Sequence, residues 1–143
     1  MGAIMILSGC LVVVGVVATV LVNRVRVREL DRDFVLELAC GHQRALALAA
    51  QAARGILWQV EFTGNGLYTR HIRAGNIVHI AFSDHPGRPD RTVVTVWTRC
   101  RLADNRVFVP VVGWVPDTRR KRDRILRALA AHRVRGGRDA TIR

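Results

Sequence analysis

The chain has 143 residues, which is enough for one domain and a membrane anchor but too few for two domains. Half of the residues are hydrophobic, and the formal net charge is +12 at pH 7. The roughly 110–120 residues left beside an anchor suffice for one core without disulfide or metal staples. The charge favours anionic partners, meaning phosphate-rich membrane surfaces or nucleic acid.

Residues 3–22 form an apolar run, AIMILSGCLVVVGVVATVLV, without a charged side chain. At about 1.5 Å per residue, a helix of this length spans roughly 30 Å, the hydrocarbon thickness of a bilayer. In lipid a helix satisfies its own backbone hydrogen bonds, so even this valine-rich run is expected to be helical. The sequence therefore predicts a transmembrane anchor at residues 1–23 and a basic juxtamembrane linker at residues 24–33.

Arg24, Arg26 and Arg28 follow the apolar run at once, and no Lys or Arg precedes it. The positive-inside rule then places the N-terminus outside and the soluble domain in the cytoplasm. We therefore expect a single-pass protein of the cell membrane. Cys40 and Cys100 are expected to be reduced thiols in that compartment.

Two kinds of N-terminal processing are alternatives to a retained anchor. A cleaved secretory signal has a basic n-region and a small-residue cleavage site, and neither is evident here. Cys10 ends a lipobox-like sequence, LSGC, but the longest part of the apolar run follows it. Both observations favour an uncleaved signal-anchor.

Alternating apolar residues predict a strand at 34–39 and a second one at 58–63. Residues 42–54 are rich in Ala and Leu and end before Gly55, which is typical of a helix C-terminus. The apolar face of this helix is expected to comprise Leu46, Ala49 and Ala53.

The sequence Gly-Asn-Gly at 64–66 indicates a hairpin. A three-residue loop there pairs Phe62 with Tyr68, which keeps apolar side chains of both strands on one face. The same argument at the next turn pairs Ile72 with Val78. We therefore predict three-residue loops at both turns.

The C-terminal half contains further predicted elements. Residues 83–91 hold two prolines and a glycine and are expected to form an exposed loop, followed by a strand at about 93–102. Residues 107–112 predict a returning strand, which Pro110 restricts to a sheet edge or a bulge. A helix is expected from about 116 to 132, and residues 133–143 are expected to be a disordered basic tail. The apolar stripe of that helix comprises Ile125, Leu126 and Leu129.

The order β-α-β-β-β-β-β-α predicts an α+β fold over residues 34–132, an antiparallel meander with helices on one face. This domain follows the N-terminal transmembrane helix. The outline resembles helix-grip domains, in which a C-terminal helix lies across a curved sheet. That resemblance is topological, and it implies a small apolar ligand between sheet and helix as an alternative function.

Catalytic and metal-binding patterns are weak in this sequence. Ser83, Asp84 and His85 are consecutive, so their side chains diverge and cannot form a nucleophile–base relay. The predicted register places His71 opposite His79 on the solvent face, but two ligands are too few for a metal site. No phosphate-binding loop, dinucleotide fingerprint or Cys-x-x-Cys pair is present. We expect no enzymatic activity, no cofactor and no metal.

The basic residues of the last helix are the candidates for contact with an anionic surface: Arg119, Arg120, Lys121, Arg122, Arg124 and Arg127. Each can contribute about 1 kcal/mol of attraction to anionic lipid, and an anchor keeps the headgroups near. Nucleic acid would use the same residues, but the three tryptophans do not interleave with them as a stacking platform requires. A helix that is merely solvated is another alternative.

These features together predict a single-pass, membrane-anchored interaction module or accessory subunit of a membrane protein assembly. Its basic C-terminal helix is expected to contact anionic lipid headgroups or another membrane protein. Nucleic acid is the less favoured partner.

Overall fold

The structure is a computed structural model that describes residues 12–18, 21–22, 25, 29–30, 32–73, 75–99, 114–134 and 141–142. Its elements are β1 (Asp33–Leu38), α1 (His42–Ala53), β2 (Trp58–Thr63), β3 (Gly66–His71), β4 (Ile77–His85), β5 (Arg88–Arg99), α2 (Trp114–Ala130) and β6 (Thr141–Ile142). The strands form one sheet in the order β2-β3-β4-β5-β1-β6, and each pairing is antiparallel. The predicted α+β class with an antiparallel sheet is confirmed.

Both helices pack on the same face of the sheet, as predicted. All five buried side chains of α1 are alanine. Their small size lets the helix backbone approach the strands closely. The apolar core comprises Leu38, Cys40, Ala45, Ala49, Ala50, Ala52, Ala53, Leu67, Val78, Ile80, Phe82, Val94, Val96, Ile125 and Leu129. The predicted apolar faces of both helices are therefore confirmed.

The sheet has two distinct ends. β1 starts, β3 ends and β5 ends at one of them, which also holds residues 29–30 and the loops at 54–57 and 72–76; we call it the anchor end. The opposite end holds the turn between β4 and β5 and the start of α1; we call it the hairpin end. The two helices run in opposite directions between these ends, and α2 starts at the anchor end.

The predicted register of the β2–β3 hairpin is wrong. Phe62 pairs with Leu67, so the loop has two residues and the inward side chains of β3 are at odd-numbered positions. Thr69 faces the core, and its hydroxyl donates a hydrogen bond to the carbonyl of Ala53, at 3.3 Å. A polar side chain is stable there because its hydroxyl has a partner. The alternation of apolar residues could not reveal that partner.

Gly66 is the first residue of β3, and its backbone lies close to that of β4. A Cβ atom at this position would lie 2.1 Å from the carbonyl oxygen of Ile80. The glycine therefore permits this strand approach, and it lies inside the strand instead of in the predicted loop.

The next two predicted turns also differ from the structure. His71 donates its backbone N–H to the carbonyl of Asn76, so four residues separate these two positions. Residues 83–91 do not form a loop, because β4 and β5 continue to a turn at Pro86 and Gly87. Gly87 has φ of +75°, which glycine adopts without steric strain. The exposure predicted for this segment is correct, but its backbone is a long hairpin.

Two other predicted segments fall largely outside the described residues. The predicted strand at 107–112 and its preceding turn lie outside them, as do 135–140 and 143 of the predicted disordered tail. Arg133 is bridged to Leu38, and β6 pairs with the start of β1. These pairings lie at the edge of β1, which offers free backbone groups, and the disorder of the tail stays a prediction.

Candidate functional site

Lys121, the only lysine of the chain, is buried between the two helices, with 6% of its surface exposed. Its ammonium donates hydrogen bonds to the carbonyls of Ala53 and Arg54, at 3.0 and 2.8 Å. These carbonyls lie at the C-terminus of α1, where the helix dipole attracts a cation. Burial lowers the pKa of the lysine, and the charge of Arg124 lowers it further. Lys121 therefore caps α1 and is not part of an exposed basic surface.

The same lysine explains how α1 ends. Arg54 follows the helix with extended backbone, φ −64° and ψ 148°, and Gly55 does not adopt positive φ. The glycine cap expected from the sequence is thus replaced by a cation from a neighbouring helix. A Cβ at Gly55 would approach the lysine ammonium to 2.9 Å, so a small residue is needed for another reason.

Arg122 is also buried, with 4% of its surface exposed. Its guanidinium donates to the backbone carbonyl of Glu29 at 2.9 Å and lies 4.8 Å from the ring centre of Phe34. It also contacts the carboxylate of Asp123 at 3.2 Å. Arg122 therefore binds the N-terminal segment to the domain and cannot reach an external surface.

Two further contacts fix the residues that precede β1. Leu30 is fully buried, and its carbonyl accepts a hydrogen bond from the hydroxyl of Thr98 on β5. The carboxylate of Glu29 forms an ion pair with Arg119 at 3.0 Å. The end of the predicted juxtamembrane linker is therefore packed on the domain.

The other four predicted contact residues on α2 are exposed: Arg119, Arg120, Arg124 and Arg127. Arg120, Arg124 and Arg127 are spaced at i, i+4 and i+7, so they share one face of the helix. The side chain of Arg120 is 83% exposed, and its ion pair with Asp117 is loose, at 3.8 Å. Of the six predicted contact residues, only the four exposed arginines are therefore accessible to a partner of α2. Arg24, Arg26 and Arg28 lie outside the described residues.

The described residues of the N-terminal apolar run are helical and uncovered. Between 47% and 65% of the surface is exposed at Val12, Val13, Val14, Val16, Val17, Leu21, Val22 and Val25. Among the described residues, which include only 12–18 and 21–22 of the run, no helix is long and apolar enough to span a bilayer.

The predicted pairing of His71 and His79 is wrong. His71 is buried on the helix-covered face, where it packs edge-on against Trp58 at 5.0 Å. His79 lies on the opposite face, stacked on Trp97 at 5.0 Å. The altered register of β3 separates them, and the described residues contain no cluster of three potential metal ligands.

A row of paired side chains that includes His79 crosses the outer face of the sheet, the face opposite the helices. It runs from Glu61 through Tyr68 and His79 to Trp97, with one residue on each of four adjacent strands. The Tyr68 hydroxyl donates to Glu61, which raises the pKa of the tyrosine. Burial lowers the pKa of His79, and within the described residues its Nε2 lacks a hydrogen-bond partner. A neutral, stacked imidazole of this kind is a packing element of the sheet surface.

The consecutive Ser83, Asp84 and His85 do not converge on one another. Asp84 lies 3.8 Å from His42, and His85 lies 3.8 Å from Glu37. Glu37 accepts a hydrogen bond from Arg91 at 2.9 Å, which lowers the pKa of the carboxyl group. These contacts tie the hairpin to β1 and α1, and the hydroxyl of Ser83 donates to the carbonyl of Val93 instead.

Cys40 is a buried free thiol at the hairpin end. Burial raises the pKa of the thiol, which opposes its reaction as a thiolate. Its backbone carbonyl accepts a hydrogen bond from Thr92 at 2.9 Å. Cys40 thus packs as a small side chain of the apolar core, and Cys100 lies outside the described residues.

Sequence reasoning missed the residues that join the N-terminal segment to the domain. Thr98 looks like one of several strand threonines, and Leu30 lies in a segment that reads as a charged linker. The isolated leucine within ELDRD is the one signal that could have indicated burial. The hydrogen bonds to backbone carbonyls have no signature in the sequence.

Comparison of the chain with protein-family models, with curated proteins and with solved structures finds no match.

Proposed function

We propose that this chain is a single-pass, membrane-anchored interaction module, an accessory subunit of a membrane protein assembly without enzymatic activity. Residues 3–22 cross the bilayer, and the domain lies on the cytoplasmic side. The observation that carries the proposal is the length of the uncharged run, which is long enough for a bilayer and costly to leave in water.

The described part of that run supports the proposal. Its valines and leucine are about half or more exposed on a helix, although aliphatic side chains in water are unfavourable. Lipid would remove this surface from water. The contacts of Arg122 and Thr98 then hold Glu29 and Leu30, near the end of the linker that follows the anchor, against the domain.

The exposed arginines of α2 are the proposed partner surface. Arg120, Arg124 and Arg127 form a stripe along the helix, and a protein with an acidic patch or an anionic lipid headgroup would complement it.

Fractionation and co-purification of the full chain test this function. We expect the protein to stay in the membrane pellet after alkaline carbonate and to carry partners through gentle detergent purification. Release by carbonate would overturn the anchor.

The stripe is tested with the triple variant Arg120→Gln/Arg124→Gln/Arg127→Gln. We expect it to remain folded and membrane-bound but to lose most of the co-purified protein or anionic lipid, measured by mass spectrometry. The matched control is Arg44→Gln/Arg88→Gln, which removes exposed charge elsewhere. Equal recovery from the triple variant and the control would contradict a role for the stripe.

A further inference from the structure

The loops of the anchor end expose a compact apolar cluster, formed by Ile56, Leu57 and Ile72, which we call the aliphatic knob. Ile56 is 99% exposed and Ile72 is 62% exposed. Large aliphatic side chains at such exposure are costly in water when they occur together.

The knob is held by the backbone and not by a loose loop. Trp58 donates its N–H to the carbonyl of Gly55 at 3.1 Å, and Ile72 donates to Leu57 at 3.0 Å. Lys121 holds the residues before the turn by its hydrogen bond to Arg54. Because the turn is fixed on both sides, the exposure of Ile56 is built into the fold.

Arginines flank the knob without acidic partners. Arg54 and Arg73 are exposed next to the knob residues in the chain, and Arg99 is exposed at the end of β5, farther along the same end of the sheet; none of them forms an ion pair with another described residue. At a membrane surface, the aliphatic side chains would contact acyl chains, and the nearby guanidinium groups would contact anionic headgroups.

The position of the knob relative to the anchor identifies the membrane it would meet. Glu29 and Leu30 reach the domain beside β1, whereas the knob lies beside β2, at the same end of the sheet. The order β2-β3-β4-β5-β1 separates these two positions by four strand spacings, roughly 19 Å. The two positions are therefore opposite corners of the same end of the sheet.

We infer that the aliphatic knob inserts into the bilayer that holds the anchor, so that the domain contacts this membrane at two corners and stands upright on it. The inference rests on the proposed anchor.

Photo-crosslinking in native membranes tests the inference with the full chain. Benzoylphenylalanine replaces Ile56, and the control places it at Arg88, which is also exposed but lies at the hairpin end. We expect phospholipid adducts at position 56 and not at position 88. Adducts to another protein, adducts to a second copy of the chain, or the absence of a lipid adduct would each overturn insertion.

A second variant pair tests whether the knob acts as a unit. Ile72→Asp, in the chain with the crosslinker at 56, should lower the lipid adduct about tenfold, which corresponds to roughly 1.4 kcal/mol. Phe62→Asp is the matched control, because Phe62 is also 62% exposed but lies at the far end of β2. Equal adduct yields from both variants would contradict insertion of the knob.

The two proposals fail in different ways. Release of the crosslinker chain by alkaline carbonate would remove the anchor and the inference together. A chain that is retained in the membrane but gives no lipid adduct at position 56 would remove the inference alone.

Discussion

The anchor end and the hairpin end of the sheet are stabilised by different interactions. At the anchor end, the cations of Lys121 and Arg122 are buried and donate to backbone carbonyls. At the hairpin end, Glu37 pairs with Arg91 and lies near His85, all partly exposed to solvent. The exposed side chains differ in the same way, since they are aliphatic or arginine at the first end and mixed polar at the second.

This difference shows that cations from one cluster of the sequence can have opposite roles. Four consecutive basic residues occupy positions 119–122, and two of them point inward to hold backbone while two point outward. A buried cation with backbone partners stabilises a joint between segments, whereas an exposed pair contributes little. The anchor end should therefore be sensitive to substitution, and the hairpin end should be sensitive to pH.

Lys121→Ala is expected to have the largest effect on stability. It removes both hydrogen bonds of the ammonium and leaves the Ala53 carbonyl only the longer bond from Thr69, so we expect a loss of about 3 kcal/mol in the free energy of unfolding. Denaturant unfolding of the full chain in detergent measures it. Arg124→Ala, an exposed residue on the same helix, should change stability by no more than about 0.5 kcal/mol. Equal losses from the two variants would contradict the cap.

Arg122→Gln should have an intermediate and more local effect. It removes the hydrogen bond to the Glu29 carbonyl and the contact with Phe34, for a loss of about 2 kcal/mol. Amide exchange of the residues around Glu29 should accelerate more than exchange in the core strands.

Arg119→Gln is the matched control, because Arg119 also contacts Glu29 but through an exposed side-chain ion pair. It should leave exchange near its wild-type rate. If both variants accelerate exchange equally, the buried arginine is not what joins the segment to the domain.

Acidification should affect the hairpin end, with the smallest change in overall stability. The pKa of Glu37 is lowered from 4.5 in the folded state, mainly by the hydrogen bond from Arg91. Its stabilising contribution is therefore complete above pH 4.5 and is lost as pH falls through the lower, folded-state pKa. Amide exchange in the β4–β5 hairpin should accelerate in that window, and Glu37→Gln should make it insensitive to pH there. A hairpin that loosens equally in the variant would contradict this origin.

Periodic patterns of apolar residues predicted the strands and helices that can be recognised from a few consecutive residues. Alternation placed β1, β2 and β4, and the period of alanines placed α1, because burial of one face produces those patterns directly. The α+β class followed from their order. The apolar stripe with Ile125 and Leu129 was also legible, because both side chains enter the core.

The register of the β2–β3 hairpin was predicted wrongly, because the prediction assumed that polar side chains of β3 face solvent. The three-residue loop was favoured to keep Thr69 and His71 out of the core, but both are inside it. Thr69 finds the carbonyl of Ala53, sixteen residues away, and no local pattern records such a partner. One shifted position then moved His71 to the core face, whereas His79 lies on the outer face as predicted.

The sequence by itself determined the class of fold, the two helices, the long uncharged run and the strong positive charge, since these depend on composition and on periods of two to four residues. Tertiary structure alone decided which cations are buried, how α1 ends and where the N-terminal segment joins the domain. Those outcomes depend on hydrogen bonds between side chains and backbone carbonyls at distant positions. Because every residue has the same carbonyl, the sequence does not show which one will accept such a bond.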